Sequence, residues 1–361
     1  MSKAAELAAL IGSQSALSNR NLIINGAYQI FQRASSATAA TSTYTTADRW
    51  IPFESTDGAM TTEQSSDHPS GTGFSLKAQV TTADTSIGAA QFCYIFQKIE
   101  AQNLQHLNYG TSSAKSLTLS FHVKSNKTGT YTINLHKGDN TAYNYVQEYT
   151  ISSANTWEKK IITISPTAGS TSLITSSAGA INNDNGAGLE VGFGLAWGSD
   201  FNTTADTWVA ANDYSTTNQV NWMDSTSNNF YLAEVQLEIG EQATPFEHRS
   251  FEDELLRCQR YHQRFTGVSN GRVGIGTKTS ATGARCIIPF NTAMRATPSH
   301  SITGTPRFET GAAAQNVSSI NTSGANTLVG GFDVVTASGG AQNDPGVLDM
   351  GDGGYIFDAE L

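Results

Sequence analysis

The sequence predicts a mainly β chain: a jelly-roll β-sandwich followed by a smaller C-terminal β domain, with a short N-terminal helix and a connecting helix. Three observations lead there. Apolar and polar residues alternate along many short runs, the period of a half-buried strand. Gly, Asn and Ser turns separate those runs at a regular rhythm, as in sandwiches and jelly rolls. Only 14% of residues are charged while 38% are hydrophobic, against about 25% charged in ordinary soluble domains.

At 361 residues the chain has room for two folded units. Residues 1–18 read as a helical anchoring or association segment, because Leu7, Leu10, Ile11 and Leu17 fall on one side of an Ala-rich stretch. So short a helix needs a partner surface; the alternative is a frayed arm. Residues 19–246 carry the period-two pattern. In Leu117 to Lys124, Leu117, Leu119, Phe121 and Val123 share one face. After Gly129, Tyr131, Ile133 and Leu135 alternate with polar residues, so these two runs read as consecutive antiparallel strands. Further strands are expected at Tyr145 to Ile151, Trp157 to Ile164, Leu189 to Trp197 and Phe230 to Ile239. Within Leu189 to Trp197, Leu189, Val191, Phe193, Leu195 and Trp197 form a core face. Gly192 and Gly194 leave the opposite face bare, which calls for a neighbouring subunit, a loop or a shallow saccharide groove close against the backbone.

Residues 247–265 read as a connecting helix, with Phe251, Leu255, Cys258 and His262 on one face. Glu252, Asp253 and Glu254 sit in its first turn and Arg257, Arg260 and Arg264 later, as the helix dipole favours. Residues 266–361 return to Gly-rich strands at Val273 to Ile275, Cys286 to Phe290 and Tyr355 to Leu361.

The net charge of −10 and the lack of any basic run argue against nucleic-acid binding. No stretch approaches the roughly 20 apolar residues of a membrane-spanning helix, and the N-terminus does not read as a secretory signal. Cys93, Cys258 and Cys286 are too scattered for a disulfide framework or a zinc pair. No nucleophile elbow, zinc-protease motif or phosphate loop is present, so no catalytic residue is assigned. His122 and His136 are surface residues or neighbours on adjacent strands. Trp197, Trp208, Tyr214 and Trp222 crowd a loop-rich stretch, where rings either stack on sugars or plug the end of the sandwich or a trimer seam.

Several segments carry a family likeness. Asn21 to Gly26 (NLIING), Phe31-Gln32-Arg33, Ala47 to Trp50 (ADRW), Val235 to Gly240 (VQLEIG), Ala243 to Glu247 (ATPFE) and Cys258 to Tyr261 (CQRY) together resemble tail-fibre and virion structural proteins of tailed phages. The likeness runs over residues 19–265. Ile288 to Phe290, Met294-Arg295, Pro298 and the closing Asp358 to Leu361 resemble, more loosely, the terminal β domain of such proteins. The sandwich pattern is also similar to carbohydrate-binding modules.

The resemblance implies a virion fibre or appendage subunit, a homotrimer that meets other virion proteins through its N-terminus and adheres to host-surface glycan. It implies location in the virion, assembled in the host cytoplasm and released by lysis. Leu7, Leu10, Ile11, Gly192 and Gly194 are the expected subunit contacts. No cofactor is called for, apart from a structural calcium that the likeness to carbohydrate-binding modules would place at Asn25 and Glu238. A purely architectural decoration or adaptor protein is the alternative; a polysaccharide depolymerase has no supporting motif.

Overall fold

The computed structural model describes residues 19–38, 43–266, 271–311, 313–322 and 324–361. The predicted N-terminal helix, with Leu7, Leu10 and Ile11, lies outside them. The chain forms two compact units that divide between Ser250 and Phe251.

The first unit is a sandwich of two six-stranded antiparallel sheets. One runs in the order β1 (Ser36–Thr38), β3 (Ala59–Ser65), β4 (Ser75–Thr82), β12 (Asn229–Ile239), β6 (Leu117–Ser125) and β9 (Glu158–Ile164). The other runs β11 (Thr207–Val209), β8 (Tyr143–Ile151), β7 (Gly129–Lys137), β10 (Ala187–Trp197), β5 (Phe92–Glu100) and β2 (Ile51–Ser55). The alternating residues do what their period dictates. Leu119, Phe121 and Val123 meet Ile133, Val191 and Phe193 in one core, and Phe121 sets its ring edge-on to Phe193 at 5.0 Å. Each such side chain contributes about 1.5–3 kcal/mol through burial.

One pairing differs from expectation. The runs at Leu117 and Tyr131 are not partners: β6 pairs with β12 and β9, whereas β7 pairs with β8 and β10. Alternation shows which residues face inward, but it is the same for hairpin neighbours and for strands facing each other across a core.

The segments that carry the family likeness lock the first unit's incoming and outgoing chain together. The Asn21 amide accepts from Ile23 and Leu237 N–H and donates to the Val235 carbonyl. Asn25 adopts φ +57°; its Oδ1 accepts from Gln29 and Ile30 N–H, and its Nδ2 donates to the carbonyls of Ile30 and Asp48. Gly26 lies so near β12 that a Cβ would sit 2.1 Å from the Val235 carbonyl oxygen. Trp50 donates its indole N–H to the Asn25 carbonyl at 3.2 Å. Glu238 accepts from Gln236 and from both the N–H and hydroxyl of Thr244. The calcium assignment fails on these bonds: the amide of Asn25 and the carboxylate of Glu238 are committed to donors and acceptors of the chain itself. Among the described residues no group of three or more His, Cys, Asp or Glu is arranged to hold a metal ion.

The second unit opens with α1 (Phe251–Gln259) and β13 (His262–Thr266). β14 (Arg272–Ser280), β15 (Gly283–Pro289), β19 (Val329–Thr336), β18 (Ala314–Thr322), β17 (Arg307–Thr310) and β20 (Pro345–Asp349) close into a barrel in that order. β21 (Gly354–Asp358) lies between β13 and β16 (Ser299–Thr303) in a small sheet. The predicted helix over 247–265 is therefore shorter. His262 to Thr266 form a strand because they find a full-length partner in Gly354 to Asp358, distant in sequence and invisible to local periodicity. Phe251, expected on the buried helix face, is exposed, while Glu254 and Cys258 are buried.

Candidate functional site

The outer face of the second sheet, the side away from the core, carries an unusual set of side chains. The first half of β5, Phe92 to Phe96, is apolar on both faces. Cys93 and Ile95 enter the core, and Phe92, Tyr94 and Phe96 point outward. Cross-strand register places Phe53 of β2 opposite Tyr94 and Ile51 opposite Phe96, while β10 sets Gly194 opposite Tyr94 and Gly192 opposite Phe96.

Trp197 joins them through a β-bulge. Strict alternation would put it on the core face with Leu189 and Phe193, but the register shifts between Gly194 and Ala196, and the extra residue turns the indole outward. There it stacks on Tyr214 with centroids 5.2 Å apart and planes 4° from parallel. Tyr94 lies 4.9 Å from Trp197, and Phe92, Phe53 and Phe201 complete a contiguous ring cluster.

The two glycines make that packing feasible. A Cβ on Gly194 would meet Trp197 Nε1 at 2.5 Å and Thr132 Oγ1 at 2.6 Å; one on Gly192 would meet Asn134 Oδ1 at 2.3 Å. Both glycines are buried by this chain's own side chains, which corrects their assignment as subunit contacts. The loop that brings Phe201 and Tyr214 over the face is tied down by Gln219, which accepts from Thr132 and donates to the carbonyls of Gly194 and Leu195.

Beside the rings runs a polar row. Lys98, Glu190, His136 and Asn144 occupy directly paired positions on β5, β10, β7 and β8. Lys98, His136 and Glu190, with Gly138 and Ala187 to Leu189, line a cavity of about 310 Å³. Burial pushes the Glu190 carboxyl up to about 7, an effect that Lys98 and the Tyr94 hydroxyl, 3.4 Å away, partly offset. Burial pushes the His136 imidazole down; its Nδ1 lies 2.9 Å from Asn144 Oδ1. Burial also raises the Tyr214 phenol to about 12. Under the rings, both amide atoms of Asn134 and the indole N–H of Trp197 are buried without a hydrogen-bond partner among the described residues. Such atoms cost about 1–3 kcal/mol each until a donor or acceptor reaches them.

Of the aromatic residues predicted to bind sugar, the structure brings Trp197 and Tyr214 together and removes the other two. Trp208 and Trp222 are buried in the core, donating to the carbonyls of Ser165 and Asn229, so they plug the sandwich. Periodicity missed Phe53, Phe92, Tyr94, Phe96 and Glu190; the available signal was an unbroken apolar and aromatic run from Phe92 to Phe96, too apolar for a strand with one wet face. His122 and His136 are on different sheets. His122 faces Glu234 at 3.0 Å, with His68 at 3.7 Å on the same carboxylate. Glu234 reaches them from a bulge at φ +51°. A second cleft of about 350 Å³ opens between β8 and β9, where Glu148, Lys160 and Asp206 line it. Its tyrosines, Tyr145 and Tyr149, are core residues, so it offers polar groups without an exposed ring platform.

No family model matches the chain, and no curated protein sequence does. Among solved structures it is similar to a candidate sugar-binding protein from Bacteroides thetaiotaomicron, at TM-score 0.36 and 10% identity over 61% of this chain and 100% of that one. A family 11 carbohydrate-binding module of a cellulosomal cellulase of Clostridium thermocellum aligns at TM-score 0.30 and 14% identity, over 55% of this chain and 91% of that one. The enzymatically active domain of a tailspike protein of bacteriophage CBA120 aligns at TM-score 0.29 and 11% identity, over 61% of this chain but 21% of that one. These likenesses are distant.

Proposed function

We propose that this chain is a non-enzymatic appendage subunit of a phage virion, adhering to host-surface glycan through the outer face of its second sheet. One observation carries the binding role: a contiguous ring cluster outside the main core, buried at Tyr94 and Phe96 and topped by the half-buried Trp197–Tyr214 stack, with a row of hydrogen-bonding groups along its border. That combination suits a saccharide, which offers an apolar CH face and a polar rim. The groups facing Glu190 are Lys98, Tyr94, His136 and Tyr214, which favours recognition over glycoside hydrolysis, where two carboxyl groups act together. The virion role rests on the sequence likeness over residues 19–265. Trimerisation would make weak contacts multivalent.

The test is a glycan array and a host-cell adsorption assay with the purified chain, alongside light scattering for oligomeric state. Binding above an unrelated sandwich control supports the reading; a monomer that retains no glycan and blocks no adsorption overturns it. The architectural alternative is favoured by a specific feature of the second unit: Ile275 and Ile287 pair on the barrel's outside and are 60% and 45% exposed. Imaging the labelled chain in intact particles separates the two, because a position enclosed by other components leaves no route to a host.

A further inference from the structure

The geometry points to the row Lys98, Glu190, His136 and Asn144 as the subsite that orients one uncharged sugar ring, two of whose adjacent hydroxyls donate to the Glu190 carboxylate. This rests on the outer face being a saccharide site and adds the sugar chemistry that face selects. Paired positions on neighbouring strands lie about 5 Å apart, so the row crosses the strands alongside the rings. His136 lies 5.9 Å from the Tyr214 ring, and Tyr94 bridges the two parts, with its ring against Trp197 and its hydroxyl toward Glu190. A pyranose resting on the rings therefore turns its hydroxyl edge to Glu190.

Glu190 is poorly served by the chain itself. It is only 8% exposed, and a carboxylate has about four acceptor sites, yet the one hydrogen bond it receives from the described residues is the 3.4 Å contact from Tyr94. Two sugar hydroxyls would supply charge-assisted donors to the unused sites. A uronic acid would set a second negative charge against a carboxylate already held out of water. An amino sugar would bring its ammonium against the Lys98 ammonium beside Glu190. An uncharged ring meets neither penalty.

The groups facing Glu190 are Tyr94 and Lys98 from β5, His136 from β7 and Tyr214 from the overlying loop. With its carboxyl raised to about 7, the ionised acceptor is lost as pH falls through neutrality. If that form alone binds, affinity drops about tenfold between pH 8 and pH 6.

The experiment is calorimetric titration of the full chain with neutral gluco-, galacto- and manno-tetraoses, tetragalacturonate and a chitosan tetramer, at pH 6 and pH 8. Expected are binding of a neutral tetramer, a loss of tenfold or more at pH 8 in Glu190→Gln, and disappearance of the pH dependence in that variant. Tryptophan emission confirms that each variant is folded. If Trp197→Ala abolishes binding while Glu190→Gln stays within twofold of the parent, the face stands and the subsite falls. Preference for the uronate or chitosan tetramer, or a pH dependence that survives Glu190→Gln and disappears in His136→Asn, also overturns it. No binding by any tetramer, or binding that survives both Trp197→Ala and Tyr214→Ala, overturns the saccharide reading itself.

Discussion

Replacing Asn25 with alanine should be among the most damaging single changes in the first unit, and its cost can be worked from the bonds it makes. The side chain accepts from two backbone N–H groups and donates to two carbonyls, all at 2.8–3.1 Å. Ile30, which supplies one donor and one acceptor, is 2% exposed, so water does not readily replace the lost partner. A buried backbone group left unpaired costs about 1–3 kcal/mol, and alanine at φ +57° adds about 1–2 kcal/mol. The sum is about 2–5 kcal/mol, or a fall in Tm of about 4–20 °C for a unit of this size. Asn25→Gly should recover about 1 kcal/mol of that by relieving the backbone alone. All five tryptophans precede residue 251, so urea unfolding followed by tryptophan emission reports the first unit selectively. An Asn25→Ala chain within about 1 kcal/mol of the parent would refute the assignment of Asn25 as a structural lock.

Three further outcomes are expected. Trp208→Ala should cost about 3–5 kcal/mol in urea unfolding because it empties core volume, whereas Trp197→Ala should cost much less; equal losses would mean that Trp197 is also a core residue. Glu190→Gln should stabilise the first unit at pH 8 and leave it unchanged at pH 4. The folded carboxyl is raised, so below the unfolded value near 4.5 both states are protonated; the penalty grows as pH rises and is complete above about 7, at roughly 3 kcal/mol. A stabilisation of similar size at pH 4 would contradict this. In the barrel, Lys278 donates to Gln315, Thr336 and the Ala281 carbonyl, and Lys278→Ala leaves those acceptors buried. Hydrogen exchange in β14, β18 and β19 should accelerate by tenfold or more, and unchanged exchange would show that the lysine is dispensable.

The strand faces were legible because side-chain direction along a strand is local. Leu119, Phe121 and Val123, or Leu189, Val191 and Phe193, point inward whatever their neighbours are. The helix at Phe251–Gln259 was legible in its acids and following arginines, though its end was not, since β13 exists by virtue of β21. The four aromatic residues chosen as sugar-binding looked equivalent in sequence. Two are core and two lie outside it, a distinction that depends on where the loop between β10 and β12 folds back.

By itself the sequence determined the β class, the rhythm of the strands and which side chains each strand would bury, because these follow from a two-residue period and the need to remove apolar surface from water. Only the tertiary structure decided which strands became neighbours, that one inserted residue would turn Trp197 outward, and that Lys98, Glu190, His136 and Asn144 would share a line. Such relations join residues far apart along the chain through backbone hydrogen bonds. Those bonds are chemically alike in every register, so the choice falls to the packing of the whole sandwich.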